Sequence, residues 1–312
     1  MATQFLWKAA TMVERHRTGF LIASCAGLFG ANLTFHIIPQ KTFKPLYQAW
    51  ATGQPDELSG NLQSLFQDIL SVIQVKSENC YQAFAAFSFH PVSAGISWFP
   101  AGCVVGIPAS FDVTASDEHR IVMIEGKEVD WKSTEGLALK EALTLSLEAQ
   151  KFAIAREVMY LQNNGPLIHA AVAPICLAGT YVSGVAIKQL LGLYSGPMVV
   201  RGLYNLAIAM IGFMGYCLLY DTVSRAVDYR TDRSTATIST DFAKGGVEFY
   251  NKTLAQNKTF RMLMGKQGEK TYAPNGNLFP RYWFRLKHAP YTSRRDLIVN
   301  ILSMSQAHTG HD

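Results

Sequence analysis

LIHAAVAPICLAGTYVSGVAI, residues 167–187, and GLYNLAIAMIGFMGYCLLY, residues 202–220, contain no Asp, Glu, Lys or Arg. A turn, residues 188–201, separates them and includes Lys188, Gly192, Ser195, Gly196 and Pro197. A helix rises about 1.5 Å per residue, so each run is long enough to cross a hydrocarbon layer about 30 Å thick. A third run, TGFLIASCAGLFGANLTFHII, occupies residues 18–38. The reading is an integral membrane protein with three transmembrane helices. An odd number of spans sets the basic segment 1–17 and the turn on one side of the bilayer. It sets residues 39–166 and 221–312 on the other, where they build one domain interrupted by the hairpin.

Composition agrees. Apolar residues make up 49% of the 312 and charged residues 16%, against about 25% charged in an ordinary soluble domain. The formal net charge of +5 is spread along the chain. No basic stripe is interleaved with aromatics, which argues against a nucleic-acid surface. Cys25, Cys176 and Cys217 fall in the apolar runs, and Cys80 and Cys103 in the polar part. Their spacing matches neither a zinc site nor a redox pair. A disulfide and two buried thiols both suit Cys80 and Cys103.

Short basic loops stay on the side from which a protein inserts. Lys8, Arg15 and Arg17, with Lys188 and Arg201 of the turn, mark that side. Residues 1–17 suit an uncleaved mitochondrial anchor, with a secretory membrane as the competitor. In the latter case Asn251-Lys-Thr253 and Asn257-Lys-Thr259 become glycosylation candidates. Ala23, Gly27 and Ala31 give the first span a smooth stripe, as do Gly179 and Ser183 the second. His36 and His169 lie near span ends and read as interfacial.

In the polar part, Leu58, Leu62, Leu65, Phe66, Ile69 and Ile73 recur with helical spacing. Strand-like pieces follow at Phe84–Phe89, Cys103–Ile107 and Ile121–Ile124. Ser146 is placed to cap a long helix that runs towards the second span. Beyond the hairpin the pattern predicts a helix from Asp221 to Ala243, stopped by Gly245-Gly246. A shorter helix from Val247, a loop over 273–280 and a last helix after Pro290 complete an α+β domain in which helices dominate.

Several stretches together resemble one family over essentially the full length. They are Arg15-His-Arg-Thr-Gly19, Ser24-Cys-Ala-Gly-Leu-Phe-Gly30, Pro91-Val-Ser-Ala-Gly95, Val105-Gly-Ile-Pro-Ala-Ser-Phe111, Glu148-Ala-Gln-Lys-Phe-Ala153 and Gly245-Gly-Val-Glu-Phe-Tyr250. The family is transmembrane protein 177. The resemblance implies the mitochondrial inner membrane, where the charge bias of the short loops sets the soluble domain in the intermembrane space. It also implies a non-enzymatic role in cytochrome c oxidase assembly, with oxidase subunit 2 and its small membrane assembly chaperone as partners.

A fainter resemblance is to integral-membrane zinc endopeptidases of the CAAX prenyl protease type. Those have a glycine-bearing edge strand, a helix with H-E-x-x-H, a later helix with Glu-x-x-x-Asp, and a closing His-x-Pro segment followed by Arg. Here Gly102–Pro108 stands in the strand's place, and the motif helix reads Arg156-Glu157-Val158-Met159-Tyr160. Asp228-Tyr-Arg-Thr-Asp232 matches the third-ligand helix with Asp for Glu, and His288-Ala-Pro290 with Arg294-Arg295 matches the close. Zinc of this kind needs two imidazoles one helical turn apart. Arg156 and Tyr160 occupy those positions, and a guanidinium cannot ligate a metal. No two of the eight histidines are four residues apart, so the expectation is no metal and no cofactor.

The sharper expectation is a degenerate site of Arg156, Glu157, Tyr160, Asp228 and Asp232. In it Arg156 forms a bidentate pair with one of the two later carboxylates. A second is a client groove walled by Val104, Val105, Gly106, Ile107 and Pro108, taken as an edge strand that holds an extended peptide. A third is a basic face formed by Arg281, Arg285, Lys287, Arg294 and Arg295. A membrane protease with a non-standard site and a purely structural scaffold are the competing readings.

Overall fold

In the computed structural model, which describes residues 12, 15–51, 53–112, 123–280, 282, 285 and 288–309, the chain is an α+β membrane protein. It divides into two compact units. One holds the described residues up to Thr34 with Leu167–Val223, and the other holds Phe35–Pro166 with the described residues from Ser224 onward.

The first unit is built from three helices long and apolar enough to cross a membrane. They are α1 (Arg17–Ile37), α5 (Gly165–Leu190) and α6 (Met198–Ala236). Leu203, Leu206, Met210, Ile211 and Phe213 of α6 are exposed, a surface that suits lipid and not water. Close approach of α5 and α6 depends on two glycines. A Cβ on Gly212 would collide with Thr180, and one on Gly184 would lie 2.9 Å from Ile208 Cγ2. Gly27 and Gly179, read as members of packing stripes, have nothing within 4 Å of a Cβ. Helix α6 is 39 residues long, about 58 Å at 1.5 Å per residue. It runs without a break past residue 220, so the separate helix expected from Asp221 is the continuation of the third span.

The first long helix lying wholly within the second unit is α2 (Gly60–Ile73), capped by Ser59, whose hydroxyl accepts from Leu62 N. Its apolar positions Leu62, Leu65, Phe66, Ile69 and Leu70 are buried and Gln63, Gln67 and Asp68 are exposed, the amphipathic division the spacing demands. A three-stranded sheet follows: β1 (Tyr81–Ala86), β2 (Val92–Gly95) and β3 (Cys103–Pro108). The order is β1-β3-β2, with β3 parallel to β1 (Tyr81 beside Cys103) and antiparallel to β2 (Val92 beside Gly106). Gly106 has no room for a side chain, since a Cβ would lie 2.7 Å from Phe84 and 2.9 Å from Ala86 and Val92. Of the expected strand at 121–124, residues 121 and 122 lie outside the described residues, and Met123–Ile124 pairs with Lys127–Glu128.

Helix α3 (Thr134–Leu143) starts at Ser133, which accepts from Gly136 N at 3.0 Å. Helix α4 (Leu147–Gln162) starts at Ser146, whose hydroxyl accepts from Ala149 N at 3.2 Å. Glu248 fixes the same corner by accepting from Ser146 N and Oγ at 2.9 and 2.6 Å. Helix α4 stops short of the second span, with Asn164 in the left-handed conformation (φ 56°) before α5 begins. Phe152, Ile154, Ala155, Val158 and Leu161 of α4 are 0–1% exposed, so this helix is enclosed on nearly every side.

Helix α7 (Thr240–Leu263) begins after a break at 237–239, with Ser239 as its cap. Gly245 and Gly246, read as a stop, lie inside α7. A Cβ on Gly245 would collide with the Glu148 carbonyl oxygen, and one on Gly246 would lie 2.7 Å from Phe152. The pair therefore lets α7 approach the backbone of α4, and the helix tolerates the propensity cost because packing repays it. The loop 273–280 brings Gly276 O to Asn257 Nδ2 at 2.8 Å. Asn257 is 6% exposed, which removes it as a glycan acceptor. Helix α8 (Tyr291–Thr309) closes the unit. Its length carries the backbone of His308 into regular structure. All five cysteines are free, and burial and the neighbouring Cys80 push the Cys103 thiol up to about 12.

Adding one methyl group separates the two kinds of glycine. Gly245→Ala is expected to destabilise the protein by about 1–3 kcal/mol through overpacking against backbone. Gly179→Ala should stay within about 0.5 kcal/mol of the wild type. Thermal unfolding of the detergent-solubilised chain, followed by circular dichroism, measures both.

Candidate functional site

A helix as enclosed as α4 has little tolerance for charge, yet it carries Arg156 and Glu157 in its middle. The compensation comes from three other elements. Asp228 and Asp232 stand four residues apart on α6, so both carboxylates leave the same face. Arg294 lies in the first turn of α8, and Ser93 on β2.

The guanidinium of Arg156 spreads its nitrogens over three carboxylates. Nη1 reaches Glu157 Oε1 at 2.7 Å, Nη2 reaches Asp228 Oδ1 at 2.8 Å, and Nε reaches Asp232 Oδ1 at 3.0 Å. The expected bidentate fork on one carboxylate is not what forms, because each of three acids offers an oxygen from a different direction. That fork belongs to Arg294, whose Nε and Nη2 donate to Asp232 Oδ2 and Oδ1 at 2.6 and 2.8 Å. Tyr250 Oη donates to Asp232 Oδ1 at 2.8 Å, and the Arg294 guanidinium lies over the Tyr250 ring at 4.8 Å. Glu157 Oε2 accepts from Ser93 Oγ at 2.7 Å. Asp228 Oδ2 takes Ala289 N at 3.4 Å and lies 3.7 Å from His288 Nδ1.

Three carboxylates against two guanidiniums leave one negative charge in excess when His288 is neutral. Asp232 is fully buried, and its two oxygens receive four donors between them, the pattern that makes a buried charge tolerable. Burial works against the Asp228 carboxylate, but His288, Arg294 and Arg156 together hold it well below the usual range. Burial likewise opposes the charge on Arg156, and Tyr250, Asp232, Glu157 and Asp228 outweigh it. His90 packs edge-on against Phe249 at 5.5 Å. Burial, then the two guanidiniums, push its pKa down to about 4 from 6.5.

Of the expected site residues, Arg156, Glu157, Asp228 and Asp232 meet in this cluster. The ring of Tyr160, one turn further along α4, lies against Gly165. Arg294, Tyr250, Ser93 and His90 join the cluster although the sequence reading does not include them in it. The one legible signal is Arg294 beside the His288-Ala-Pro290 segment, which the expected basic face misplaces. Arg294 is 5% exposed, and Arg295 is paired with Asp296 at 2.7 Å. Arg281 and Lys287 lie outside the described residues, so no continuous basic face is described.

The client groove needs a larger correction. Val104, Val105 and Gly106 lie in the central strand, paired on both sides, Ile107 and Pro108 continue it paired with β1, and all five are buried. A strand with both ladders occupied has no edge to offer a peptide. On the outer strand β2, Gly95 N is already given to His36 Nδ1 at 3.2 Å.

The donor set bears on the metal question. Among the described residues no group of three His, Cys, Asp or Glu side chains is arranged to hold a metal ion. At the centre of the carboxylates stands a permanent cation, tied to all three.

The family model for transmembrane protein 177 matches residues 118–280. The chain is 52% identical to transmembrane protein 177 of Xenopus laevis over 306 residues, covering 97% of this chain and 99% of that protein. It is 50% identical to the Homo sapiens protein over 298 residues (95% and 96%) and 49% identical to the Danio rerio protein over 306 residues (97% and 98%). The chain belongs to the transmembrane protein 177 family. No solved structure matches it. The relatives carry the name of a membrane protein family and not that of an enzyme, and nothing in these comparisons supports the likeness to zinc endopeptidases. The family model spans α4, the membrane hairpin and the α6 carboxylates but ends before Arg294, so the matched stretch holds four of the five charged groups of the cluster.

Removing one partner of a buried ion network strands the others. Arg156→Met should cost about 3–5 kcal/mol, and adding Asp228→Asn should recover part of that loss in a double-mutant cycle. Full additivity of the two changes would show that the pair is not coupled.

Acid should weaken the domain in two stages. His90 stays neutral in the fold down to about pH 4, while in the unfolded chain it takes a proton near 6.5. Stability is therefore lost as pH falls from about 6.5 to 4. Asp228 has a depressed folded pKa, so its contribution is present above its ordinary 3.8 and is lost below it. His90→Gln should abolish the first stage and keep the second in chemical unfolding measured from pH 8 to 3.

Proposed function

We propose that this protein is a non-enzymatic accessory factor of the mitochondrial inner membrane. In this reading it holds newly made cytochrome c oxidase subunit 2, together with that subunit's small membrane assembly chaperone, while the oxidase is built. The soluble domain faces the intermembrane space. The observation that carries the non-enzymatic part is the guanidinium of Arg156 among Glu157, Asp228 and Asp232. A catalytic carboxylate must be free to take a proton or a metal. Here every carboxylate is engaged by a fixed cation, and the chemistry of the cluster is that of a pin joining α4, α6 and α8. The oxidase part rests on the family resemblance.

The experiment is an affinity capture of the tagged full-length chain from mitochondria whose own translation products have just been radiolabelled. Recovery of intact, labelled subunit 2 is expected. Recovery of no labelled product would overturn client holding and leave a structural scaffold. Recovery of shortened product, restored to full length by Glu157→Gln, would indicate a protease.

A further inference from the structure

The membrane unit contains a lateral groove of about 930 Å³ between its three helices. Most of its wall is apolar, with Leu28 of α1, Leu177 of α5, and Ile208 and Phe213 of α6. One end differs. Arg17, the first residue of α1, and Lys188, near the end of α5, line the groove there beside Tyr194 and Asn205. Lys188 Nζ lies 3.4 Å from Asn205 Oδ1 and 5.0 Å from the centre of the Tyr194 ring. Both partners orient the ammonium and neither cancels its charge. Arg201, in the first turn of α6, keeps a buried Nε with no acceptor among the described residues.

The three helices bring no acid to this end of the groove. The sequence has no Asp or Glu from 15 to 55 or from 158 to 220. An apolar trough ending at cations that no acid among the described residues neutralises matches a molecule with a long hydrocarbon chain and an anionic head. A zwitterionic lipid would bring its own cation to the same end and gain less.

We propose that this groove binds an anionic phospholipid, with an acyl chain along the apolar wall and the phosphate against Arg17 and Lys188. It is then a resident lipid of the protein, distinct from the fluid lipid around the other faces of the helices.

The test uses the full chain in phosphatidylcholine bicelles containing a small fraction of phosphatidylglycerol, with retained lipid counted by native mass spectrometry. One phosphatidylglycerol per chain is expected, enriched roughly tenfold or more over its bulk fraction, given the usual contribution of two basic side chains at an anionic lipid. Arg17→Gln with Lys188→Gln should return the ratio to bulk, and Lys188→Arg should preserve it. Ala209→Trp, which fills the groove and leaves the charges, should also expel the lipid. A bulk ratio in the wild type would overturn the proposal, as would enrichment that survives both the charge and the filling variants. Displacement by soluble glycerol phosphate would overturn it too, since that would make the site one for a phosphate alone.

Discussion

One guanidinium on an enclosed helix organises the soluble part of this protein. Arg156 cannot lose its proton, and its side chain is only 18% exposed, so protein groups must answer most of its charge. The fold answers by bringing carboxylates to it from the following residue and from α6, and the surplus carboxylate charge in turn draws in Arg294. Each addition satisfies groups the previous one left over, and the series ends at Tyr250, Ser93 and the backbone of Ala289. Such a network is a weak source of net stability but an exacting source of specificity, because every alternative arrangement buries an unpaired charge.

The same arithmetic supports the proposed non-enzymatic role. Reactive centres keep a group unsatisfied until a substrate arrives. Asp232 is the opposite case, with four donors on two oxygens and no exposure to solvent. The half-exposed side is that of His288, where the cluster meets solvent.

Much of the architecture is legible along the chain, and the limits of that reading are physical. The spans declare themselves by length and lack of charge, the cap at Ser146 by residue type, and the common face of Asp228 and Asp232 by their spacing. These are properties of single elements. Which element lies beside which is not written in local spacing, and there the reading fails. Val104–Pro108 has the composition of any apolar strand, and only pairing on both sides makes it central. Gly245-Gly246 looks like a helix stop until the α4 backbone is seen against it. Arg294 looks like one more surface cation until Asp232 is placed within its reach. Helix α3, begun by Ser133, is short and weakly patterned, and its neighbours hold it in place.

The contacts between α4 and the elements after the hairpin also impose an order of construction. Ser146 waits for Glu248, the Glu148 carbonyl for Gly245, and Arg156 for Asp228, and each of these partners leaves the ribosome only after both later membrane helices have been made. Until then the first half of the domain has an open flank and a charge with no counterpart beyond its neighbour Glu157. Closing such long loops is entropically slow. The core therefore cannot close before the residues of both later membrane helices have been made, and a chain cut short of them lacks the partners of Ser146, Glu148 and Arg156.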